Sequence, residues 1–436
     1  VWRSLADQAK LKRALTTPEV VLSGIGVILG AGIYALIGEA AGMAGNALWL
    51  AFLLSATIAA FTGLSYAELS SMFPLASAEY EYTSRSFGHV LAFVVGILVI
   101  LSGIIGAATV ALGFAGYFQG LMDMPLVLTA ALLLILTSAI IFAGIKQSAA
   151  FVITFTLIEA GGLLGIIAIG LPYLGSVDYF EAPLGIGGVL QGAALLFFAY
   201  QGFEEVVKLS EETVNPESTI PKSLIIALAA TILLYMLVSI AAVSIAGWEG
   251  IAGSPAPFAV IAGQAFGTEA FLIVTVIALF ATANTALLML LASSRIVYGM
   301  ARAGTLPRPF CYIHPATQTP AVAIVVALLF SLAFLSLGNI SDVAMVANFT
   351  LYITFAVINA AVILLRFRMP DRPRPFRVPL SIGRLPVLPL LGILTCVLFL
   401  FQLDIRVLFI GGVIIVAASL AGKILRMTQT PAEPQE

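Results

Sequence analysis

Few side chains in this sequence could do chemistry, and those that could lie inside apolar runs. Glu159 stands about ten residues into one of them, which at 1.5 Å per residue puts its carboxyl about 15 Å deep, near the centre of a bilayer. An ionised carboxylate there costs at least about 2.5–3.5 kcal/mol, so such a residue is expected to face a polar pathway. Burial disfavours the charged form of a carboxyl, and Glu159 is therefore read as a group that loads and releases a proton. Two other readings stand beside it: a permanently protonated acid bonded to a neighbouring helix, and a carboxylate completing a sodium site with Thr282 or Thr285. Thr282, Asn284 and Thr285 cluster in a later run, where they could supply oxygens to an ion or act as polar glue between helices, and Glu204 closes another run as a possible gate. No nucleophile with a base, and no spacing of His, Cys and acids that suits a metal, accompanies them.

The other candidate groups belong to the backbone. Ser23 to Tyr34 is an apolar stretch carrying Gly24, Gly26, Gly30 and Gly32. Glycine costs roughly 1 kcal/mol relative to alanine inside a helix, and free backbone groups in hydrocarbon cost several more. Unwinding here makes sense only beside a polar cavity. Phe198-Ala199-Tyr200-Gln201-Gly202-Phe203 repeats the idea about 170 residues on, and paired interrupted spans mark a transporter's binding site. Around Ile28, the N–H groups of Gly30, Ala31 and Gly32 and a half-helix N-terminus would suit a carboxylate. Carbonyls near Phe198, Ala199 and Gln201 would suit an ammonium. The competing reading of the glycines is close helix packing, since Gly26 and Gly30 form a GxxxG pair. A dinucleotide fingerprint is rejected because no strand precedes the run.

The elements that must carry these groups are membrane helices. With 61% hydrophobic and 10% charged residues and a mean hydropathy of +1.10, the chain falls outside the range of soluble domains. Runs near the roughly 20 residues a bilayer needs follow a first span that begins at Thr17-Pro18-Glu19, with Thr17 as cap, and runs to about Gly38. They lie near 47–71, 89–120, 126–144 and 149–173, then near 189–208, 222–247, 268–302, 320–337 and 342–365, and finally near 386–402 and 406–425. That makes twelve. With a cytoplasmic N-terminus, all but Arg406 of the 20 Lys and Arg residues fall on one side, so the positive-inside pattern supports both the count and an orientation with both termini cytoplasmic. The residues from Arg366 to Arg384 read as part of that signal and as a contact for anionic lipid.

Spans 3 and 8 are the two longest, and each follows a short stretch ending in Phe-Gly, Phe87-Gly88 and Phe266-Gly267. Five helices per half would invert one half relative to the other. The expected organisation is a segment 1–17, a first repeat 18–173, a second 189–365, two further helices within 386–425, and a tail 426–436.

At this point the sequence resembles the amino acid-polyamine-organocation superfamily, and is similar to bacterial and archaeal relatives of the cationic amino acid transporters. The matching stretches are the Gly-rich segment with Gly38, Tyr66-Ala67-Glu68-Leu69 with Phe73-Pro74, Gly106 to Ala111, Phe197 to Glu204, Glu211-Glu212 with Asn215-Pro216 and Ile220-Pro221, and Ser294-Arg295 through Met300 to Gly304. The resemblance implies an all-α fold with a five-plus-five inverted repeat, an amino acid held between discontinuous spans 1 and 6, and alternating access. It also implies that Phe198 serves as an aromatic gate. Two positions depart from it. Proton-coupled relatives often carry a lysine where Glu159 stands, so proton coupling here is inferred from depth and not from family. Ser102 and Gly103 stand where many cationic transporters have a glutamate and a tyrosine, which weakens the case for cationic substrates and leaves room for an apolar side chain.

The expectation is a secondary active amino acid transporter of the plasma or inner membrane, a proton symporter for neutral amino acids. It needs no cofactor beyond a proton, with sodium as the alternative coupling ion. Its partners are an amino acid and membrane lipid but no nucleic acid, and it acts as a monomer or homodimer. An exchanger of cationic amino acids or polyamines is the alternative within the class, and a non-transporting amino acid sensor the alternative outside it. Glu204, Glu205, Glu211 and Glu212 are expected to bridge to Arg295, Arg302 or Lys208.

Overall fold

The computed structural model describes residues 13–75, 78–144 and 149–428, without the side chains of 149–155 and 426–428. Most of the expected lead-in 1–17, Lys146 and the tail beyond Thr428 lie outside the described residues. The first half comprises α1 (Thr17–Ile28), α2 (Gly32–Ala44), α3 (Leu48–Met72), α4 (Ala78–Phe87), α5 (His89–Gln119), α6 (Leu126–Phe142) and α7 (Ala149–Gly170). The second comprises α8 (Gly185–Leu196), α9 (Glu205–Lys208), α10 (Pro216–Ile251), α11 (Pro257–Phe266), α12 (Thr268–Arg302), α13 (Ala321–Phe334) and α14 (Ile340–Arg368). A small hairpin, β1 (Ser381–Ile382) with β2 (Leu385–Pro386), leads to α15 (Val387–Leu400) and α16 (Ile405–Thr428). Among the described residues, 8 helical segments are long and apolar enough to cross a membrane, with shorter apolar helices between them. The chain is an all-α polytopic membrane protein.

The first span starts one residue earlier than its sequence indicated. Thr16 is the cap, and the Glu19 carboxylate accepts from its N–H and its hydroxyl, both at 2.7 Å. The span also runs past Gly38 to Ala44, but not as one helix: α1 stops at Ile28 and α2 begins at Gly32. The second interruption falls between α8 and α9, where a 3-10 turn Phe197–Tyr200 precedes extended backbone at Gln201.

Two short helices match in form. α4 and α11 have 10 residues each, and each ends in Phe-Gly with the glycine left-handed, at φ 91° for Gly88 and 80° for Gly267. Each passes at once into a long helix, α5 or α12. α5 packs along α12, and α3 along α10.

One buried ion pair fixes the end of α3. Glu68 Oε1 accepts from Arg366 Nε at 2.9 Å and Oε2 from Arg366 Nη2 at 2.5 Å and the Val378 N–H at 2.8 Å, while Arg374 Nε lies 3.3 Å from Oε1. Sequence alone assigned Arg366 and Arg374 to the charged side of a loop. A buried carboxylate that takes three hydrogen bonds and sits between two guanidiniums explains why they turn inward instead, since an unpaired buried charge is far costlier than a paired one.

Candidate functional site

A broken helix releases backbone groups, and these need partners. At the first break the Ala31 N–H donates to Thr285 Oγ1 of α12 at 3.0 Å, and the Ile28 carbonyl accepts from the Tyr235 hydroxyl of α10 at 2.9 Å. At the second, carbonyls of the last turn of α8 accept from α14: Ala194 from Asn348 Nδ2 at 2.7 Å and from the Tyr352 hydroxyl at 2.6 Å, and Leu195 from Asn348 Nδ2 at 3.0 Å. The Phe198 carbonyl accepts from the Gln201 N–H at 3.2 Å, and the Ala199 carbonyl from Tyr235 at 3.1 Å. Ala194 thus has both lone pairs engaged, whereas a carbonyl with a single donor, such as Ala199, keeps a second lone pair.

The two breaks touch. A Cβ at Gly32 would stand 2.8 Å from Ala199 Cα and 3.3 Å from the Phe198 ring, so only glycine allows this approach. Gly202, at φ 114°, lies equally close to Val27, where a Cβ would meet the carbonyl oxygen at 2.9 Å. Gly26 packs on Thr156 of α7. The glycines of this stretch thus serve close packing, and the helix is interrupted as well.

Below the breaks opens a cavity of about 420 Å³. One end is bounded by Gly30, Thr285, Asn284 and Glu159, and it continues past Gln201 and Gly202 to Glu204, Glu205, Lys208 and the exposed Arg295. Much of its wall is apolar, with Val27, Val99, Leu288, Met289 and Ile296. Gln201 faces it with a buried side-chain oxygen that has no hydrogen-bond partner among the described residues. Glu159 is 2% exposed; its Oε1 is 3.5 Å from Asn284 Nδ2, and its backbone carbonyl accepts from the Tyr34 hydroxyl at 2.9 Å.

Of the residues singled out from sequence, Gly30, Ser102, Gly103, Gln201, Glu159, Asn284, Thr285 and Glu204 line this one cavity. Ile28, Ala31, Gly32, Phe198 and Ala199 are buried just behind it at the breaks, and Thr282 is turned onto its own helix, donating to the Ala278 carbonyl at 2.7 Å. Ser102 likewise donates to Val99 of its own helix at 2.8 Å, and the space beside Gly103 is filled by Ser293, whose Oγ would lie 2.3 Å from a Cβ there. Gly103 is therefore small because α12 presses on it, which leaves the added room expected from sequence to Ser102 and the wall around Met289.

Of the ion pairs expected among the acids at the far end, the one to Lys208 forms, while Glu204 turns to the backbone. Glu205 bridges to Lys208, and Glu204 accepts from the Gly202 N–H at 2.9 Å. Glu79 of α4 accepts from the Tyr66 hydroxyl at 3.2 Å, and burial pushes its carboxyl above the usual range while the Lys208 charge pulls it back. Tyr235, Asn348, Tyr352 and Glu79 escaped sequence reasoning. A polar residue within an apolar helix was the available signal for Asn348, but tyrosines are too common in such helices to mark two of them as partners of a break.

The family described as amino acid permease matches residues 15–422. The chain is similar to the branched-chain amino acid permease BcaP of Bacillus subtilis (strain 168), 31% identical over 420 residues that cover 91% of this chain and 90% of the relative. It is 31% identical over 426 residues to the methylthioribose transporter of the same organism, covering 92% and 91%. Against the vacuolar cationic amino acid transporter 4 of Arabidopsis thaliana it is 30% identical over 400 residues, covering 85% and 65%.

Proposed function

The chain belongs to the amino acid permease family of the amino acid-polyamine-organocation superfamily, a family of transporters and not of enzymes, and from that premise we propose that it carries neutral amino acids in symport with a proton by alternating access. The observation that carries the proposal is the meeting of two interrupted helices at a single cavity. The substrate carboxylate would lie against Gly30, Ala31 and Gly32 at the N-terminus of α2, where the macrodipole and the first N–H groups favour an anion. Its ammonium would reach the free Gln201 oxygen and the spare lone pairs of Ile28 and Ala199. Its side chain would rest on Val99 and Met289 beside Ser102. Among the described residues, the acid on the wall near that end is Glu159, which is assigned the proton.

The twelve-span, five-plus-five architecture belongs to the same proposal. It is supported by the matched pair α4 and α11 and by the reciprocal packing of α3 on α10 and α5 on α12. With the basic loops in the cytoplasm, the cavity's Lys208–Arg295 end opens inward, and Phe198 packed on Gly32 would close the outer side. The energetics suffice: one charge moving through 100 mV yields about 2.3 kcal/mol, enough for roughly forty-fold accumulation of a zwitterion.

The named relatives handle branched-chain amino acids, methylthioribose and cationic amino acids, so family alone leaves side-chain charge open. Exchange of cationic amino acids draws on Glu204 and Glu205 lining the cavity, although Glu205 is already paired with Lys208. The test is purified protein in liposomes, offered labelled leucine, alanine and arginine under separate proton and sodium gradients. Uptake of a neutral amino acid driven by the proton gradient alone is the expected result. Arginine uptake that needs preloaded internal substrate and ignores both gradients would replace symport by exchange, and a sodium requirement would assign Glu159 to an ion site.

A further inference from the structure

The segment between α14 and α15 encloses a second cavity, of about 410 Å³, lined by Arg366, Arg372, Arg374, Arg377 and Arg384 with Asp371. These arginines are not equivalent. Arg366 and Arg374 are held by Glu68 behind the cavity, and Arg372 donates to the Met72 carbonyl at 3.1 Å while lying 4.2 Å above the Phe73 ring. Arg377 and Arg384 line the same space, and among the described residues neither makes a hydrogen bond or an ion pair. Five guanidiniums therefore face two carboxylates, Glu68 and Asp371, and two of the five have their donor forks unused. A planar fork with parallel N–H groups matches the oxygens of a phosphate.

The surroundings indicate where that phosphate comes from. Leu380 on the loop is 67% exposed, Ile382 of the β1–β2 hairpin 75%, and Phe367 in the last turn of α14, between Arg366 and Arg368, 51%. Large exposed apolar side chains next to cationic ones suit the interface of a bilayer, where the apolar groups enter the acyl boundary and the cations stay at headgroup level. We propose that this arginine cavity binds a phosphate group, carried by an anionic phospholipid of the leaflet that the loop faces. Arg377 and Arg384 would clasp the phosphate, with Leu380 and Ile382 against the acyl chains.

The test uses the full chain purified in detergent, with lipid binding read by native mass spectrometry as phosphatidylglycerol or phosphatidylcholine is titrated in. One phosphatidylglycerol should bind more tightly than any phosphatidylcholine. R377Q/R384Q, which removes no internal bond of the fold, should weaken that binding by about tenfold or more, as two charge-assisted bonds are lost. R302Q/R308Q, at arginines outside this cavity, should leave it unchanged. Equal losses in the two variants, or no preference for phosphatidylglycerol, would overturn the site. Inorganic phosphate forms a separate arm: competition with the lipid at millimolar concentration, itself abolished in R377Q/R384Q, would keep the cavity as a phosphate site but overturn its assignment to lipid.

Discussion

The Tyr235 hydroxyl lies 2.9 Å from the carbonyl oxygen of Ile28, the last residue of α1 before the first break. The same hydroxyl is 3.1 Å from the Ala199 carbonyl oxygen at the second break. A hydroxyl has one proton, so it can serve one carbonyl fully at a time. The two interruptions are therefore linked through a single donor from α10, and any motion that separates them must choose which carbonyl keeps it.

Tyr235→Phe keeps the ring and deletes that donor. Stability should fall by about 1–3 kcal/mol, the penalty for leaving a buried acceptor unsatisfied. Thermal unfolding of the purified protein, with and without a saturating amino acid, measures it. A substrate whose ammonium takes over the freed carbonyls should restore part of the loss, and an equal loss in both conditions would argue that Tyr235 is remote from the substrate.

Glu159→Gln keeps the hydrogen-bonding geometry towards Asn284 and removes the titration. Accumulation driven by a proton gradient should drop from the roughly forty-fold limit of one charge at 100 mV to none, while equilibrium binding of the amino acid persists. Uptake in liposomes at several imposed pH differences checks this, and a pH dependence unchanged from the parent protein would remove Glu159 from the coupling step.

Gln201→Leu replaces the unpartnered side-chain oxygen with an apolar group of similar size. A hydrogen bond to a charged group contributes about 1.5–3 kcal/mol, so affinity should fall by roughly ten- to a hundredfold. Calorimetric titration reads the change, and an N-acetylated substrate, which has no ammonium, serves as the control that should not distinguish the two proteins.

Glu68→Gln should destabilise the protein by about 3–5 kcal/mol, because Arg366 and Arg374 would keep their charges with no carboxylate between them. Pairing it with Arg366→Met should recover part of the loss. Unfolding midpoints of the parent, both single variants and the double variant decide it; a double variant as unstable as the sum of the singles would mean that the pair does not act as a unit.

Much of this protein was legible before any coordinates. Apolar runs of bilayer length give the helices, because lipid forces every backbone group of a span to be satisfied within it. Glycines at 30, 32 and 202 inside such runs announce the breaks, since a lipid-facing helix gains nothing from them. The place of Glu159 midway along α7 follows from counting along one helix. What the sequence could not contain is the set of partners that makes the breaks affordable. Thr285 meets Ala31 across 254 positions, Tyr235 meets Ile28 across 207, and Asn348 meets Ala194 across 154. Local pattern carries no term for contacts at such separation. The same holds for Arg366, which reads as a loop charge until α3 brings Glu68 to it across 298 positions. Periodicity and composition thus determine which segments enter the membrane and where they fail as helices. Only the packing of distant helices decides which donors and acceptors are consumed there, and which, like the Gln201 side-chain oxygen, stay unpaired among the described residues.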